Sequence, residues 1–215
     1  MHQRVSNVPA AIARVPGARS RRAFVLSGAA LALGALAGCS LGGSVSFNGT
    51  DITGADFGRD FRLMDPSGQE RTLADFKGKV VLVFFGFTQC PDVCPTALAR
   101  AAEVKALLGP DGDRLQVLFI SVDPERDTPE ILNAYTAAFD PTFLALYGDA
   151  ARLAETAKEF KVIYQKVPTG DSYTIDHTAV TYAYDTRGQL RLKLSHGQSA
   201  LEYAADVRKL LHAAA

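Results

Sequence analysis

Two cysteines four residues apart, Cys90 and Cys94, sit in the segment Lys79–Pro95, KVVLVFFGFTQCPDVCP. Three intervening residues set thiols about one helical turn apart, so both sulfurs can point the same way. Thiolate is the form that attacks disulfides and binds soft metals. The pair is therefore open to metal binding, to thiol–disulfide exchange, or to a plain structural disulfide. Pro95 fits the first turn of a helix, and apolar residues at 97, 98, 101, 104 and 108 continue it until Gly109-Pro110 stops it. Both thiols are then expected at a helix N-terminus, where the macrodipole and unpaired backbone donors favour thiolate over thiol.

Positioning such a pair needs a rigid element before it. Val80 to Phe87 is an uncharged run rich in Val and Phe, which reads as a strand covered on both faces. Phe57 to Met64 suggests a short strand closed by a turn at Asp65-Pro66-Ser67-Gly68, and Thr72 to Phe76 a single helical turn. Leu115 to Val122 is a second buried strand, followed by the charged loop Asp123–Asp127. Thr128 caps a helix that Pro129 begins and that reaches about Phe139. Phe143 to Tyr147 is a short strand, and Asp149 caps a helix to about Phe160. Gln165 to Asp176 reads as a polar loop leading to His177. Thr178–Asp185, the turn Thr186–Gln189 and Leu190–Leu194 form a hairpin. Ser199 caps a last amphipathic helix through Leu201, Ala204, Val207, Leu210 and Leu211. The fold class is α/β, a mixed central sheet with helices on both faces, and this order with a dithiol after a buried strand resembles the thioredoxin fold.

The 215 residues carry 23 basic and 23 acidic side chains, but that balance is uneven along the chain. Residues 1–38 hold five arginines and no acid, which leaves residues 39–215 at a net charge of −5. A nucleic-acid binder usually needs a basic face, so that class is disfavoured. Ser20-Arg21-Arg22-Ala23-Phe24-Val25-Leu26 resembles a twin-arginine export signal, and the apolar run after it is short for a membrane span. Leu36-Ala37-Gly38-Cys39 resembles a lipobox, with Cys39 as the lipidated residue. The organisation expected is a signal peptide over 1–38, a Gly/Ser-rich linker over 39–55 and a folded domain over 56–215. That domain would be exported and lipid-anchored, in the periplasm or on the outer face of the cytoplasmic membrane.

Three separated segments, VVLVFFGFTQCPDVCPTAL, ISVDPERDTPEIL and YTIDHTAVTYAYD, resemble the signatures of the Sco/SenC copper proteins in order and separation. The resemblance covers roughly Phe57 to the C-terminus. It implies metal ligands at Cys90, Cys94 and His177, and copper handling for the dinuclear copper centre of cytochrome c oxidase. It also implies a thiol–disulfide reductant role toward that centre, with Cys90 and Cys94 as the redox pair. The partners implied are the oxidase copper-centre subunit and an extracytoplasmic copper donor. Two thiolates and a neutral imidazole make a soft set: thiolates select Cu(I), and imidazole with thiolates can also hold Cu(II). An irregular loop before His177 would let the ring approach or withdraw as copper changes oxidation state.

Other readings stay open on the residues. A metal-free, membrane-tethered thiol–disulfide oxidoreductase needs only the cysteines. A catalytic zinc centre would accept two Cys and one His, but no obvious general base accompanies them. A peroxiredoxin would share Val93-Cys94-Pro95-Thr96, yet Pro91 stands where its catalytic threonine belongs. Asp123, at the carboxyl end of a buried strand, is a candidate to orient a ligand or partner, or is part of a turn. Asp92 either caps the helix or meets a docked partner. His196 reads as structural and His212 as a solvated side chain.

Overall fold

An uncharged run with valine or phenylalanine at almost every position leaves neither face to water, and the chain covers both. Strand β4 (Val80–Gly86) is buried at every residue, as is β5 (Leu115–Ser121). The two pair in parallel from Val80 opposite Leu115 to Gly86 opposite Ser121. A computed structural model describes residues 46–212. The signal segment, Cys39 and the first part of the expected linker lie outside those residues.

Short strands β1 (Thr50–Asp51), β2 (Leu63–Met64) and β3 (Glu70–Arg71) precede β4. Helix α1 (Val93–Leu108) buries Cys94, Leu98, Ala101, Val104 and Leu108, a stripe at three- and four-residue spacing. It ends at Gly109, whose φ of +60° a side chain would resist. Helix α2 (Pro129–Ala137) is capped as its sequence requires, with the Thr128 side chain accepting from the Ile131 N–H. Strand β6 (Leu144–Leu146) adds in parallel to β5, and helix α3 (Ala150–Glu159) is capped by Asp149. Strands β7 (Tyr164–Thr169) and β8 (Ser172–His177) follow, then β9 (Val180–Tyr184), β10 (Leu190–Ser195) and helix α4 (Ala200–His212). The main sheet runs β1-β10-β9-β4-β5-β6, with β9 and β10 antiparallel and β4, β5 and β6 parallel. This is the mixed sheet expected of a thioredoxin-like chain.

The structure departs from the sequence reading in several places. Residues 165–176 are not an irregular loop. They pair from Tyr164 opposite His177 to Thr169 opposite Ser172, turning through Gly170 at φ +58°. This ribbon stands apart from the main sheet and is largely open to solvent, with Ile175 its one buried residue. His177 accordingly ends a hairpin strand instead of opening the next sheet strand. The segment 57–64 yields only the two-residue β2. Leu201, assigned to the packed face of the last helix, is 66% exposed.

Structure also begins earlier than residue 56. Thr50 and Asp51 pair with Lys193 and Leu192 of β10. The Asn48 and Gly49 N–H groups donate to the fully buried Asp206 carboxylate, at 2.9 and 2.7 Å. Both β1 residues are exposed, so hydrophobic patterning carried no trace of them. A chain that starts at residue 56 would take those backbone donors from the Asp206 carboxylate and leave it Lys209 Nζ at 3.4 Å, at a cost of about 3 kcal/mol. At roughly 2–4 °C per kcal/mol for a domain of this size, its calorimetric melting temperature should fall about 6–12 °C below that of a chain starting at residue 45.

Candidate metal centre

The site grows from the end of β4. Gly86 closes that strand, and a Cβ there would lie 2.8 Å from Cys94 Sγ and 2.7 Å from the Phe119 ring. Glycine at this position therefore makes room for the sulfur. The chain then turns, with the Cys90 N–H donating to the Phe87 carbonyl at 3.2 Å. Helix α1 begins three residues beyond Cys90 and places Cys94 in its first turn. The Cys94 N–H donates to Cys90 Sγ at 3.4 Å, so the two sulfurs are held by backbone on one short segment.

His177 arrives from the other side, at the end of β8. Its Nε2 lies 3.6 Å from Cys94 Sγ, and the three candidate ligand atoms all fall within 4.8 Å of one another. Its Nδ1 is 3.2 Å from the Thr178 carbonyl, which favours a proton on Nδ1 and leaves the Nε2 lone pair toward the sulfurs. Phe84 and Phe87 meet the imidazole edge-on, each 6.0 Å away between ring centres. Burial holds His177 below the ordinary histidine range, against the Thr178 contact, which works upward. The ring is thus neutral at neutral pH, the state a metal ligand requires. A set of two sulfurs and one neutral imidazole nitrogen fits a soft ion such as Cu(I).

Burial decides the protonation of Cys94. The helix N-terminus was expected to stabilise a thiolate, but the sulfur is fully buried, and desolvation with the neighbouring Cys90 pushes its pKa well above the thiol range. The macrodipole loses to desolvation here, and Cys94 is a thiol until something displaces the proton. Both cysteines are free. Cys90 is half-buried and lines a cleft of about 310 Å³ with Phe87, Val93, Ile175 and His177, flanked by Asp92 and Asp176. A larger cleft, near 520 Å³, is walled by Phe57, Phe61 and paired surface charges and contains none of the three residues.

Of the remaining candidates, Asp123 is fully buried and touches none of the three: it pairs with Arg126 and accepts from the Tyr173 hydroxyl at 2.8 Å. It is thus more than a turn residue: one partner, Tyr173, belongs to the strand that ends in His177. Asp92 occupies the N-cap position of α1, and its exposed carboxylate accepts from the Thr96 hydroxyl at 3.2 Å instead of from backbone. His212 is exposed near Asp111, and His196 is half-buried with an unpartnered Nδ1. One buried carboxylate near the site escaped the sequence reading. Asp127, buried at 3% exposure, accepts from the Thr88 and Ser121 hydroxyls, each at 2.6 Å, and from the Thr88 N–H. Burial pushes its pKa up, against those hydrogen bonds. It pins the turn that carries Cys90, a role that a charged stretch between a strand and a Thr-Pro helix start does not advertise.

The sequence model of the SCO1/SenC family matches residues 49–212. The structure of Bradyrhizobium japonicum ScoI with copper bound is 43% identical, with a TM-score of 0.66, covering 73% of this chain and 99% of that one. The apo Sco1 protein from Thermus thermophilus is 40% identical, with a TM-score of 0.68, over 80% of this chain and 99% of that one. An SCO2-like protein of Rickettsia felis is 37% identical over 135 residues, which is 61% of this chain. The match spans 66% of that curated relative's length, just under two thirds.

The unequal burial of the cysteines has a direct readout. In metal-free protein at pH 8, iodoacetamide should label Cys90 and leave Cys94 unmodified by peptide mass spectrometry, until denaturant exposes it. Equal labelling of both in the folded protein would contradict the burial argument.

Proposed function

Since this chain belongs to the SCO1/SenC family, we propose that it is a copper metallochaperone for the dinuclear copper centre of cytochrome c oxidase, with Cys90, Cys94 and His177 as the ligands. The observation that carries the reading is the convergence of two sulfurs and one imidazole nitrogen within 4.8 Å. Copper is cargo here: the residues take it up, hold it and give it away. The sulfurs supply soft donors for Cu(I), and the imidazole completes a set that also accommodates Cu(II). Two ligands share one strand-to-helix segment, while the third is brought by a separate ribbon, so the imidazole is held by contacts other than those that hold the sulfurs. The partners proposed are an extracytoplasmic copper donor and the oxidase copper-centre subunit.

The same dithiol serves a reductant role. Cys90, the accessible sulfur, attacks a disulfide of the partner as thiolate and forms a mixed disulfide, releasing one partner thiolate. Cys94 then loses its proton and attacks Cys90 sulfur, which frees the second partner thiolate and leaves a Cys90–Cys94 disulfide. Two electrons pass to the partner, and the two protons lost here match the two its thiols take up. Placement of the domain follows from the N-terminal motifs: we read residues 1–38 as an export signal and Cys39 as the lipid attachment, with the domain outside the cytoplasmic membrane. Among the described residues no helix is long and apolar enough to cross a membrane.

Anaerobic titration with Cu(I) against a competing chelator tests the reading. One equivalent should bind, with loss in Cys90→Ser or Cys94→Ser. His177→Ala should keep Cu(I) more weakly and lose Cu(II) binding. Full disulfide reductase activity in a protein that binds no copper would instead favour the metal-free oxidoreductase.

Proton competition sets the pH dependence. Copper must displace the raised Cys94 proton throughout the neutral range, and His177 competes for a proton only below its ordinary value of 6.5. Cu(I) affinity should therefore rise with pH between 6 and 8, by about tenfold per unit for each proton displaced. A flat profile would mean that Cys94 binds without losing a proton in that range.

A further inference from the structure

Between the two halves of the site lies a guanidinium to which the copper reading assigns no role. Arg126, in the loop after β5, pairs through Nε with Asp123, whose carboxylate is fully buried. Its Nη1 donates to the Tyr173 carbonyl at 2.8 Å and to Gln89 Oε1 at 3.0 Å. The guanidinium carbon sits 3.7 Å from the centre of the Tyr173 ring and 5.9 Å from that of Phe87. The Tyr173 hydroxyl closes the circuit by donating to the other Asp123 oxygen. Nη2 is buried without an acceptor, so stacking on the aromatic ring is what offsets its lost hydration.

Each of these partners belongs to a different part of the site. Gln89 precedes Cys90 in the chain. Phe87 meets the His177 ring edge-on. Tyr173 shares β8 with His177, four residues upstream. The β7–β8 ribbon makes no ladder hydrogen bonds to the main sheet. Its other polar ties among the described residues are the Ile163–Thr178 bonds at its base, the His177–Cys94 contact of the site itself, and exposed contacts of Lys166 and the Tyr173 hydroxyl with Glu125, which water weakens. Ile175 adds one buried apolar anchor.

We infer that Arg126 is a positioning residue: it clamps the ribbon to the cysteine-bearing turn and so fixes where the His177 imidazole stands relative to the two sulfurs. Only a planar fork can bond Asp123, Gln89 and a backbone carbonyl while stacking on a ring, so lysine, a single point charge, should not replace it. The inference rests on the copper reading for its purpose, but the clamp itself is independent of metal.

The test uses Arg126→Lys, which keeps a charge beside Asp123, and Arg126→Met, both in the full-length chain. In metal-free protein, amide hydrogen exchange across 164–177 should quicken at least tenfold in both variants while β4 and β5 stay protected, and the His177 ring resonances should shift. Cu(I) affinity should fall about tenfold at unchanged stoichiometry. That loss should largely vanish when Arg126→Lys is made in a His177→Ala background, since the two changes then act through one ligand. Unaltered ribbon exchange in Arg126→Lys would overturn the clamp, as would full additivity with His177→Ala. If the unmodified protein bound no copper, the copper reading would fall while the exchange measurement still decided the clamp.

Discussion

Everything at the site depends on putting a sulfur where water cannot follow. Cys94 occupies the space that a side chain on Gly86 would need, under the first turn of α1 and against the ring of Phe119. That position demands a strand buried on both faces, a glycine at its end and a helix starting within a few residues. Desolvation there outweighs the helix dipole and keeps the thiol protonated. The chain thereby holds a soft donor that is inert to water-borne reagents and yields its proton only to a ligand that gains more from the sulfur.

The elements around that sulfur were legible because their signals are local and redundant. Val80–Gly86 and Leu115–Ser121 are apolar at nearly every position, and Thr128-Pro129 and Asp149 mark helix starts by their own hydrogen-bonding chemistry. Cys90 and Cys94 could be placed because four residues of separation fix their relation whatever the rest of the chain does. His177 could not be placed that way: its partner is 83 residues distant, and the family signature, not any local pattern, singled it out.

What escaped was structure held by polar groups in pairs. The ribbon 164–177 buries one apolar side chain, Ile175, and otherwise its backbone ladder is internal and its attachment runs largely through Arg126, Tyr173 and Asp123. Arg126 and Tyr173 read alone as loop residues and Asp123 as either a ligand-orienting group or part of a turn, and only the folded chain shows that they satisfy one another. Asp127 and Asp206 repeat the lesson. Both are buried carboxylates whose hydrogen-bond donors come from remote or irregular segments, and a charged side chain in sequence carries the expectation of exposure.

The borders of the main sheet carry a different consequence. Its outermost members are two residues long at β1 and three at β6, and the separate ribbon has Pro168, which lacks an N–H, and Lys166 on its first strand. Unpaired backbone at a sheet border is what lets neighbouring molecules stitch together into fibrils, and short, proline-bearing or cationic borders offer little of it. A domain with such borders would thus resist intermolecular strand addition even at high local concentration, without needing any covering subunit.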